Sequence, residues 1–283
     1  MAILIIETRS AVTDPVFFYL GIGTQRPRWL EQVDVPFFVA RINLQPQYLG
    51  RDKTLPRAIN RWALDSGGFT QVHKGGWELT VPEYVAEVRR YVDEIGKMDW
   101  CAPMDWMCEE TALAATGLTV REHQKLTTEN FLELRQELGE TVIPVLQGWE
   151  RDDYLQHVED YEKAGVYLED EERVGVGSIC RRHADGAIGS VLQSLQPLRL
   201  HAFGVKGTAL ARYHNWITSA DSMAWSATAR FGNIKLFDCT HGGLCSKCPE
   251  YALQWREKTL ERVYRQKAQG KLFEDAFTPL LVS

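Results

Sequence analysis

Two carboxylates in the sequence, Asp65 and Asp221, could together cleave a glycosidic bond. That reaction needs one carboxylate to attack the anomeric carbon and another to carry the proton of the leaving group. Each residue also has a simpler interpretation, because Asp65 precedes a Ser-Gly-Gly turn and Asp221 could cap a following helix. Both are candidate catalytic residues because each comes at the end of an apolar run.

Five further residues suit a flat ligand with polar edges. Asp105 and Gln147 offer hydrogen-bond acceptors and a donor to the edge of a base, although they could simply be satisfied polar groups at strand ends. Gly175 and Gly177 allow the backbone to approach a ring closely, with a strand bulge as the alternative. Phe69 could stack on the ring or belong to the core.

Four metal-binding side chains fall within ten residues: Cys239, His241, Cys245 and Cys248. This spacing can close a tetrahedral Cys₃His zinc site, which is structural because no coordination position stays open. A redox Cys-x-x-Cys is the alternative, but it leaves Cys239 and His241 unexplained. The spacing therefore predicts one structural Zn²⁺.

Eight apolar runs have the length of buried strands and would have to position these residues. The runs are Val16–Gly21, Pro36–Ala40, Ala63–Gly68, Trp100–Asp105, Val142–Gln147, Val174–Ile179, Leu200–Val205 and Trp216–Asp221. Helical spacing of apolar residues lies between several of them, over Pro82–Gly96, Thr127–Leu138, Asp152–Ala164 and Ala187–Leu198.

Buried strands that alternate with helices indicate parallel pairing and an α/β fold. Eight such strands predict a (β/α)₈ TIM-like barrel, and a doubly wound open sheet is the alternative. Either architecture gathers the carboxyl ends of the strands at one rim, where we expect Asp65, Asp105, Gln147 and Asp221 to meet. A small zinc-binding insertion follows the eighth strand.

The 283 residues are expected to form one catalytic barrel domain, in which residues 234–270 contain the zinc knot and a C-terminal helix. The start of the chain lacks the features of a signal peptide, and no run of about 18 apolar residues occurs. We therefore expect a cytoplasmic protein without a membrane partner.

Lys and Arg number 32 against 38 Asp and Glu, which gives a net charge of −6 and excludes a generally polycationic nucleic-acid binder. A local basic groove stays open as a hypothesis, because Lys206, Arg181 and Arg182 fall near the predicted rim. Four aromatic residues on or near the rim loops could stack on unpaired bases: Trp29, Trp77, Trp106 and Trp149.

An ordered set of sequence blocks carries a family resemblance. The blocks are Phe18–Leu30, Trp62–Thr70, Ala102–Met107, Val176–Arg182 and Ala220–Trp225. Together with the cysteine-rich segment after the eighth strand, they resemble the DpdA-type branch of the tRNA-guanine transglycosylase superfamily. The resemblance extends from about Phe17 to Cys248.

This branch inserts 7-deazaguanine bases into DNA, so the resemblance implies a base exchange. The enzyme would break the N-glycosidic bond of a guanine, hold the sugar covalently and join it to a free 7-deazaguanine such as preQ0, without a redox cofactor. The guanine would have to be flipped out of the helix or lie in single-stranded DNA. A bacterial or phage-infected cell is the implied setting.

The matching blocks also imply roles for individual residues. Asp221 would be the nucleophile and Asp65 the general acid and base. Asp105 and Gln147 would read the purine edge, and Phe69 would stack on the base. Gly175 or Gly177 would offer a backbone contact.

Two positions depart from the tRNA enzymes. Those enzymes carry an Asp three residues beyond the position of Asp221, where this chain has Ala224, so the nucleophile assignment follows the DNA branch. Their zinc site uses a distant downstream His, whereas no His follows His241 here, which leaves the fourth ligand open.

Three other functions compete with base exchange on DNA. A tRNA-guanine transglycosylase would differ only in a few contacts to the 2′-hydroxyl that no motif marks. A non-catalytic, zinc-stabilised nucleic-acid-binding barrel would not need both Asp65 and Asp221. A carbohydrate-active barrel would leave the zinc spacing unexplained. The oligomeric state stays unknown.

Overall fold

The computed structural model describes residues 16–23, 27–49, 53–180, 182 and 186–277, with side chains as far as residue 268. Eight parallel strands form one sheet: β1 (Phe17–Ile22), β2 (Phe37–Ala40), β3 (Trp62–Asp65), β4 (Met98–Cys101), β5 (Val145–Leu146), β6 (Val174–Val176), β7 (Leu200–Ala202) and β8 (Ser219–Ser222). Their order across the sheet is β4-β3-β2-β1-β8-β7-β6-β5.

The sheet curls until its two ends meet. A parallel bridge joins Cys101 of β4 to Val142, and the Ile143 N–H donates to the Cys101 carbonyl at 3.1 Å. Because β1 also pairs with β8, strands that neighbour in sequence neighbour in space around the whole ring. The expected (β/α)₈ barrel is confirmed, and the doubly wound sheet is excluded.

Helices follow the strands on the outside of the ring. Those in the described ranges are α1 (Gly68–Val72), α2 (Val81–Glu94), α3 (Glu110–Thr116), α4 (Val120–Leu138), α5 (Arg151–Lys163), α6 (Ala187–Ser194), α7 (Gly207–Tyr213), α8 (Ala224–Phe231) and α9 (Pro249–Phe277). The four helices predicted between strands are α2, α4, α5 and α6, and their bounds differ from the prediction in places.

Local signals explain two of these differences. Helix α4 begins at Val120 instead of Thr127, because Thr119 and Glu122 form a capping box in which each side chain accepts the backbone N–H of the other. Helix α6 ends at Ser194 instead of Leu198, because Pro197 offers no N–H to continue the helix.

Five side chains form what we call the aromatic layer inside the barrel: Tyr19, Phe38, Trp100, His201 and Phe203. The Tyr19 hydroxyl accepts from Trp100 Nε1 at 2.9 Å and donates to Asp99 Oδ2 at 2.8 Å. Within the layer, His201 lies below Asp221, since its partner on β8 is Ser219 and Asp221 follows two residues later. Tyr19 lies level with Asp221, which is its partner on β8.

The segment after β8 packs on the outside of the barrel. Helix α9 contacts α7 and α8 and buries Thr259, Leu260 and Val263. The cysteine-rich stretch between α8 and α9 contacts α8 through the short helical turn Cys245–Lys247. Among the described residues, no helix combines the length and apolar character that crossing a membrane requires.

Candidate active site

The four polar residues expected at the rim lie at the carboxyl ends of their strands. Asp65 ends β3, Gln147 directly follows β5, and Asp221 lies near the end of β8. Asp105 follows β4 after a short turn. Because all eight strands run parallel, these ends share one face of the barrel, as the sequence predicted.

Asp105 and Gln147 are joined by a direct hydrogen bond. Gln147 Nε2 donates to Asp105 Oδ2 at 2.6 Å, while Gln147 Oε1 accepts from Ser178 Oγ at 2.7 Å. Ser66 Oγ donates to Asp105 Oδ1 at 2.9 Å. These partners fix which way the Gln147 amide points, with its nitrogen towards the carboxylate.

The backbone of Gln147 is fixed as firmly as its side chain. Its N–H donates to His157 Nδ1 at 2.9 Å, and its carbonyl accepts from Gln124 Nε2 at 2.8 Å. Burial lowers the pKa of His157 to about 4, so the ring stays neutral and can accept. Sequence reasoning missed both residues, although each is a polar residue on the inner face of a helix.

Ser178 is a further member of the site that the sequence analysis did not single out. Its backbone has a φ of 54°, which few residues other than glycine adopt. Its hydroxyl accepts the Cys108 N–H at 2.8 Å and donates to Gln147. The left-handed conformation thus aims the hydroxyl at the Gln147 amide, and such strain occurs often at functional sites.

Asp65 lies beside the other two carboxylates. Its Oδ1 accepts the Gly67 N–H at 3.2 Å. The pKa of Asp65 is raised to about 6. Burial is the main cause and the charge of Asp221 adds to it, whereas the Gly67 hydrogen bond and the nearby Arg41 act in the opposite direction. Arg41 is held by the Ser66 carbonyl at 3.1 Å and by Glu87 at 2.9 Å.

Asp221 is the most deeply buried of the rim carboxylates, with 5% of its surface exposed. Its Oδ1 accepts the Gly204 N–H at 2.9 Å. Burial raises the pKa of Asp221 to about 7. The pKa of Asp105 is raised to about 6, by burial first and by the charge of Asp65 second. Three carboxyl groups at one rim therefore change protonation between about pH 6 and 7.

The structure gives both predicted glycines a packing role. The space that a Cβ would take at Gly175 holds the ring of Phe203 and a methyl group of Val145. At Gly177 a Cβ would lie 2.2 Å from Gln147 Nε2. The two glycines thus make room for side chains of the barrel interior, including the Gln147 amide.

Of the aromatic residues expected near the rim, Phe69 lies in α1 and Trp77 in the loop between α1 and α2, whereas the prediction for Trp29 is wrong. Phe69 is 41% exposed, and its ring centroid lies 4.2 Å from that of His73. Trp77 donates from Nε1 to the Asp105 carbonyl at 3.2 Å. Trp29 is buried against Trp225, with ring centroids 5.5 Å apart, and so lies in the core.

Of the basic residues expected near the rim, Arg182 stacks on Trp149 with its guanidinium 4.2 Å from the ring centroid, and its Nη1 donates to the Trp149 carbonyl. Arg181 lies outside the described residues. Lys206 directly precedes α7, at the carboxyl end of β7.

The predicted zinc ligands form one cluster. The donor atoms of Cys239, His241, Cys245 and Cys248 all lie within 4.8 Å of one another. The Sγ atoms of Cys239 and Cys248 are 3.3 Å apart, those of Cys245 and Cys239 are 3.6 Å apart, and Cys245 Sγ is 3.7 Å from His241 Nε2. Thiolates about 2.3 Å from a tetrahedral zinc ion would be separated by about 3.8 Å, so the cluster fits a metal ion.

The backbone supports the cluster as it does in zinc sites. The Leu236 N–H donates to Cys245 Sγ at 3.2 Å, and the Cys245 N–H donates to the Ile234 carbonyl at 2.8 Å. Cys245 and Cys248 are buried, whereas Cys239 and His241 are half-buried. A metal ion at this place would join the loop before the cluster to the start of α9.

Comparison with known proteins supports the resemblance. A family model described as DpdA, DeoxyPurine in DNA protein A, matches residues 16–276. The match covers the whole barrel and most of α9, and it confirms the family expected from the sequence blocks. A search of curated proteins found no match. The family match supports the modification of DNA with deazapurines as the function of this chain.

Proposed function

The chain belongs to the DpdA family, and from this premise we propose that it exchanges guanine in DNA for a 7-deazaguanine base such as preQ0. The proposal makes the chain a pentosyltransferase. The observation that carries it is that two carboxyls, the half-buried Asp65 and the buried Asp221, lie at the carboxyl ends of β3 and β8 on one face of the barrel. Their pKa values are raised to about 6 and 7. Such a pair can hold one carboxylate and one carboxylic acid at the same pH.

In the first step, an oxygen of the Asp221 carboxylate attacks C1′ of the deoxyribose. The bond between C1′ and the guanine nitrogen breaks while Asp65 donates its proton to the departing base. The deoxyribose is then attached to Asp221 as an ester, and Asp65 carries the negative charge.

In the second step, the 7-deazaguanine takes the place of guanine. Asp65 removes a proton from the incoming base as its nitrogen attacks C1′ and displaces Asp221. Each displacement inverts C1′, so the product keeps the β-configuration. The cycle returns both carboxyls to their starting protonation states.

Base recognition is assigned to the side chains around the carboxyl pair. The Asp105 carboxylate and the remaining N–H of Gln147 Nε2 would bind the purine edge, since the hydrogen bonds between them leave both groups fixed in orientation. Phe69 would stack on the base, and the backbone at Gly175 or Gly177 would contact it. The guanine must leave the DNA stack to reach this site.

We propose that Cys239, His241, Cys245 and Cys248 bind one structural Zn²⁺. A closed set of four protein ligands leaves no position for a substrate, so the ion would stabilise the fold and take no part in base exchange.

The exchange reaction tests the proposal. Single-stranded DNA incubated with the protein and preQ0, then digested to nucleosides, should contain preQ0 deoxynucleoside by mass spectrometry. The Asp221→Ala variant should form none, whereas Asp93→Ala, which removes an exposed carboxylate on α2, should match the wild type. Exchange on tRNA with none on DNA would contradict the proposal and favour the tRNA alternative.

A further inference from the structure

The aromatic layer contains a histidine that faces the proposed nucleophile. His201 is completely buried, and its Nδ1 lies 2.9 Å from Ser219 Oγ. Its Nε2 has no hydrogen bond to any of the described residues, yet it lies 3.4 Å from Asp221 Oδ1. A buried nitrogen that forms no hydrogen bond destabilises the fold. The Asp221 carboxylate is the neighbouring group that can form a hydrogen bond with Nε2.

The protonation state of His201 follows from its surroundings. Burial lowers the pKa of His201 well below its usual range, and the positive charge of Arg173 lowers it further. The ring is therefore neutral and carries a single N–H, either on Nδ1 or on Nε2.

Ser219 and Asp221 together favour one of these two tautomers. Arg173 Nε donates to Ser219 Oγ at 3.2 Å, so one lone pair of the hydroxyl is already used. The hydroxyl proton can then point to His201 Nδ1 as donor, which leaves the ring proton on Nε2, facing Asp221. The other tautomer would turn the Nε2 lone pair towards a carboxylate oxygen, which is repulsive when Asp221 is charged.

We propose that His201 is a positioning residue for Asp221, with its Nε2–H donated to Asp221 Oδ1 and its tautomer held by Ser219. Oδ1 then receives two donors, the Gly204 N–H at 2.9 Å and His201. Oδ2 is left as the oxygen that attacks C1′. This role of Oδ2 rests on the proposed function, whereas the placement of the proton does not.

The rings around His201 keep it in this orientation. Its centroid lies 4.6 Å from that of Trp100 and 4.8 Å from that of Phe203, both at steep angles to the ring, and Tyr19 is 5.9 Å away. Packing on several sides opposes rotation of the imidazole and excludes water. A neutral donor can orient the nucleophile without neutralising its charge, which a charged imidazolium would do.

The tautomer can be measured directly and without substrate. In protein labelled with ¹⁵N-histidine, the signals of His201 are those that disappear in the His201→Gln variant. We expect one protonated nitrogen, Nε2, in the wild type and a mixture of tautomers in Ser219→Ala. A wild-type ring protonated on Nδ1, or on both nitrogens at neutral pH, would overturn the inference.

Kinetics tests the consequence for Asp221. His201→Phe keeps an aromatic ring but has no donor, whereas His201→Gln places an N–H near the position of Nε2. The rate of covalent adduct formation with single-stranded DNA in a single turnover should fall about tenfold or more in His201→Phe, since a hydrogen bond to a charged group is lost. Affinity for DNA should stay within about twofold, and His201→Gln should recover most of the rate.

A folded His201→Phe protein that forms the adduct at the wild-type rate would contradict the positioning role. If the wild type forms no adduct at all, the proposed function fails instead. The tautomer measurement then still decides where the His201 proton lies, so the two failures are distinguishable.

Discussion

At the scale of single residues, Asp65 and Asp221 titrate in the same pH range for related reasons. Burial raises both pKa values, and for Asp65 the charge of Asp221 adds to the effect. Two such groups release their protons as a pair. Between about pH 6 and 7 the pair holds one proton, and the higher pKa of Asp221 places that proton mainly on Asp221. The proposed reaction therefore starts from the minor form, in which the proton lies on Asp65 and Asp221 is ionised.

We predict a narrow bell-shaped dependence of kcat/KM on pH. Below about pH 6 both carboxyls are protonated and Asp221 cannot attack, whereas above about pH 7 both are ionised and no acid remains for the leaving base. In Asp65→Asn the rate should be lower by about 10²–10⁴-fold and the alkaline fall should disappear. Asp105 has a pKa of about 6, so its protonation also contributes to the fall of kcat/KM on the acidic side. Only the fall on the alkaline side therefore identifies Asp65 as the acid.

An alkaline fall that persists unchanged in Asp65→Asn would assign the acid to another residue. The same variant measured at pH 6 and pH 8 is sufficient to decide this.

The contact between Asp105 and Gln147 makes a second residue-scale prediction. Gln147→Ala should raise the KM for the free base about tenfold. A buried polar group that loses its hydrogen-bond partner costs about 1–3 kcal/mol of binding free energy. Asp105→Ala should do the same. Gln156→Ala, which removes an amide paired with Glu159 on the outside of α5, is the matched control. Unchanged KM values in both site variants would place the base elsewhere.

The residue types at strand ends were enough to predict the four polar residues at the rim. They were not enough to predict the residues that hold these four by hydrogen bonds. Asp65, Asp105, Gln147 and Asp221 were predicted because each follows an apolar run. Ser178 and His201 have no local signal, since their importance comes from hydrogen bonds to residues far away in sequence. For the same reason, the packing of Gly177 against Gln147 could not be predicted.

At the scale of secondary-structure elements, the sequence predicted buried strands better than helix starts. The capping box of Thr119 and Glu122 was a readable signal, of the same kind as that of Thr80 and Glu83 before α2. The short helices α1, α3 and α7 have few residues over which a helical period can show. They pack on other helices, α1 on α3 and α7 on α9.

The zinc cluster is an element whose stability depends on a ligand. We predict one zinc ion per chain by metal analysis, and a melting temperature that falls on strong chelation because metal binding and local folding are coupled. His241→Ala should lower both zinc content and melting temperature. His214→Ala, a half-buried histidine after α7, should change neither by a comparable amount. Folded wild-type protein without zinc would refute the site.

At the scale of the whole molecule, the active site lowers the stability of the barrel. The pKa of Asp221 is raised from 3.8 to about 7, so the unfolded chain releases this proton first as the pH rises. Below about pH 4 the carboxyl is protonated in both states and has no effect. Between about pH 4 and pH 7 the free energy of unfolding falls as the pH rises, by about 4 kcal/mol at most.

Replacing the carboxyl should therefore stabilise the protein. We predict that Asp221→Asn unfolds at a higher denaturant concentration than the wild type at pH 8, with a much smaller difference at pH 5. Asp93→Asn, on the exposed face of α2, should behave as the wild type at both pH values. An Asp221→Asn protein less stable than the wild type at pH 8 would contradict this prediction. It would show that neighbouring groups in the folded protein stabilise the charged Asp221 carboxylate.

The central claim is that the Asp221 carboxylate forms a covalent bond to the sugar of DNA. Single-stranded DNA incubated with the protein in the absence of a second base should give an adduct that survives denaturation as a shifted band. Mass spectrometry of its peptides should locate the sugar on Asp221, and Asp221→Ala should give no band, while Asp93→Ala gives the wild-type amount. An Asp221→Ala protein that still exchanges bases at the wild-type rate would contradict the account.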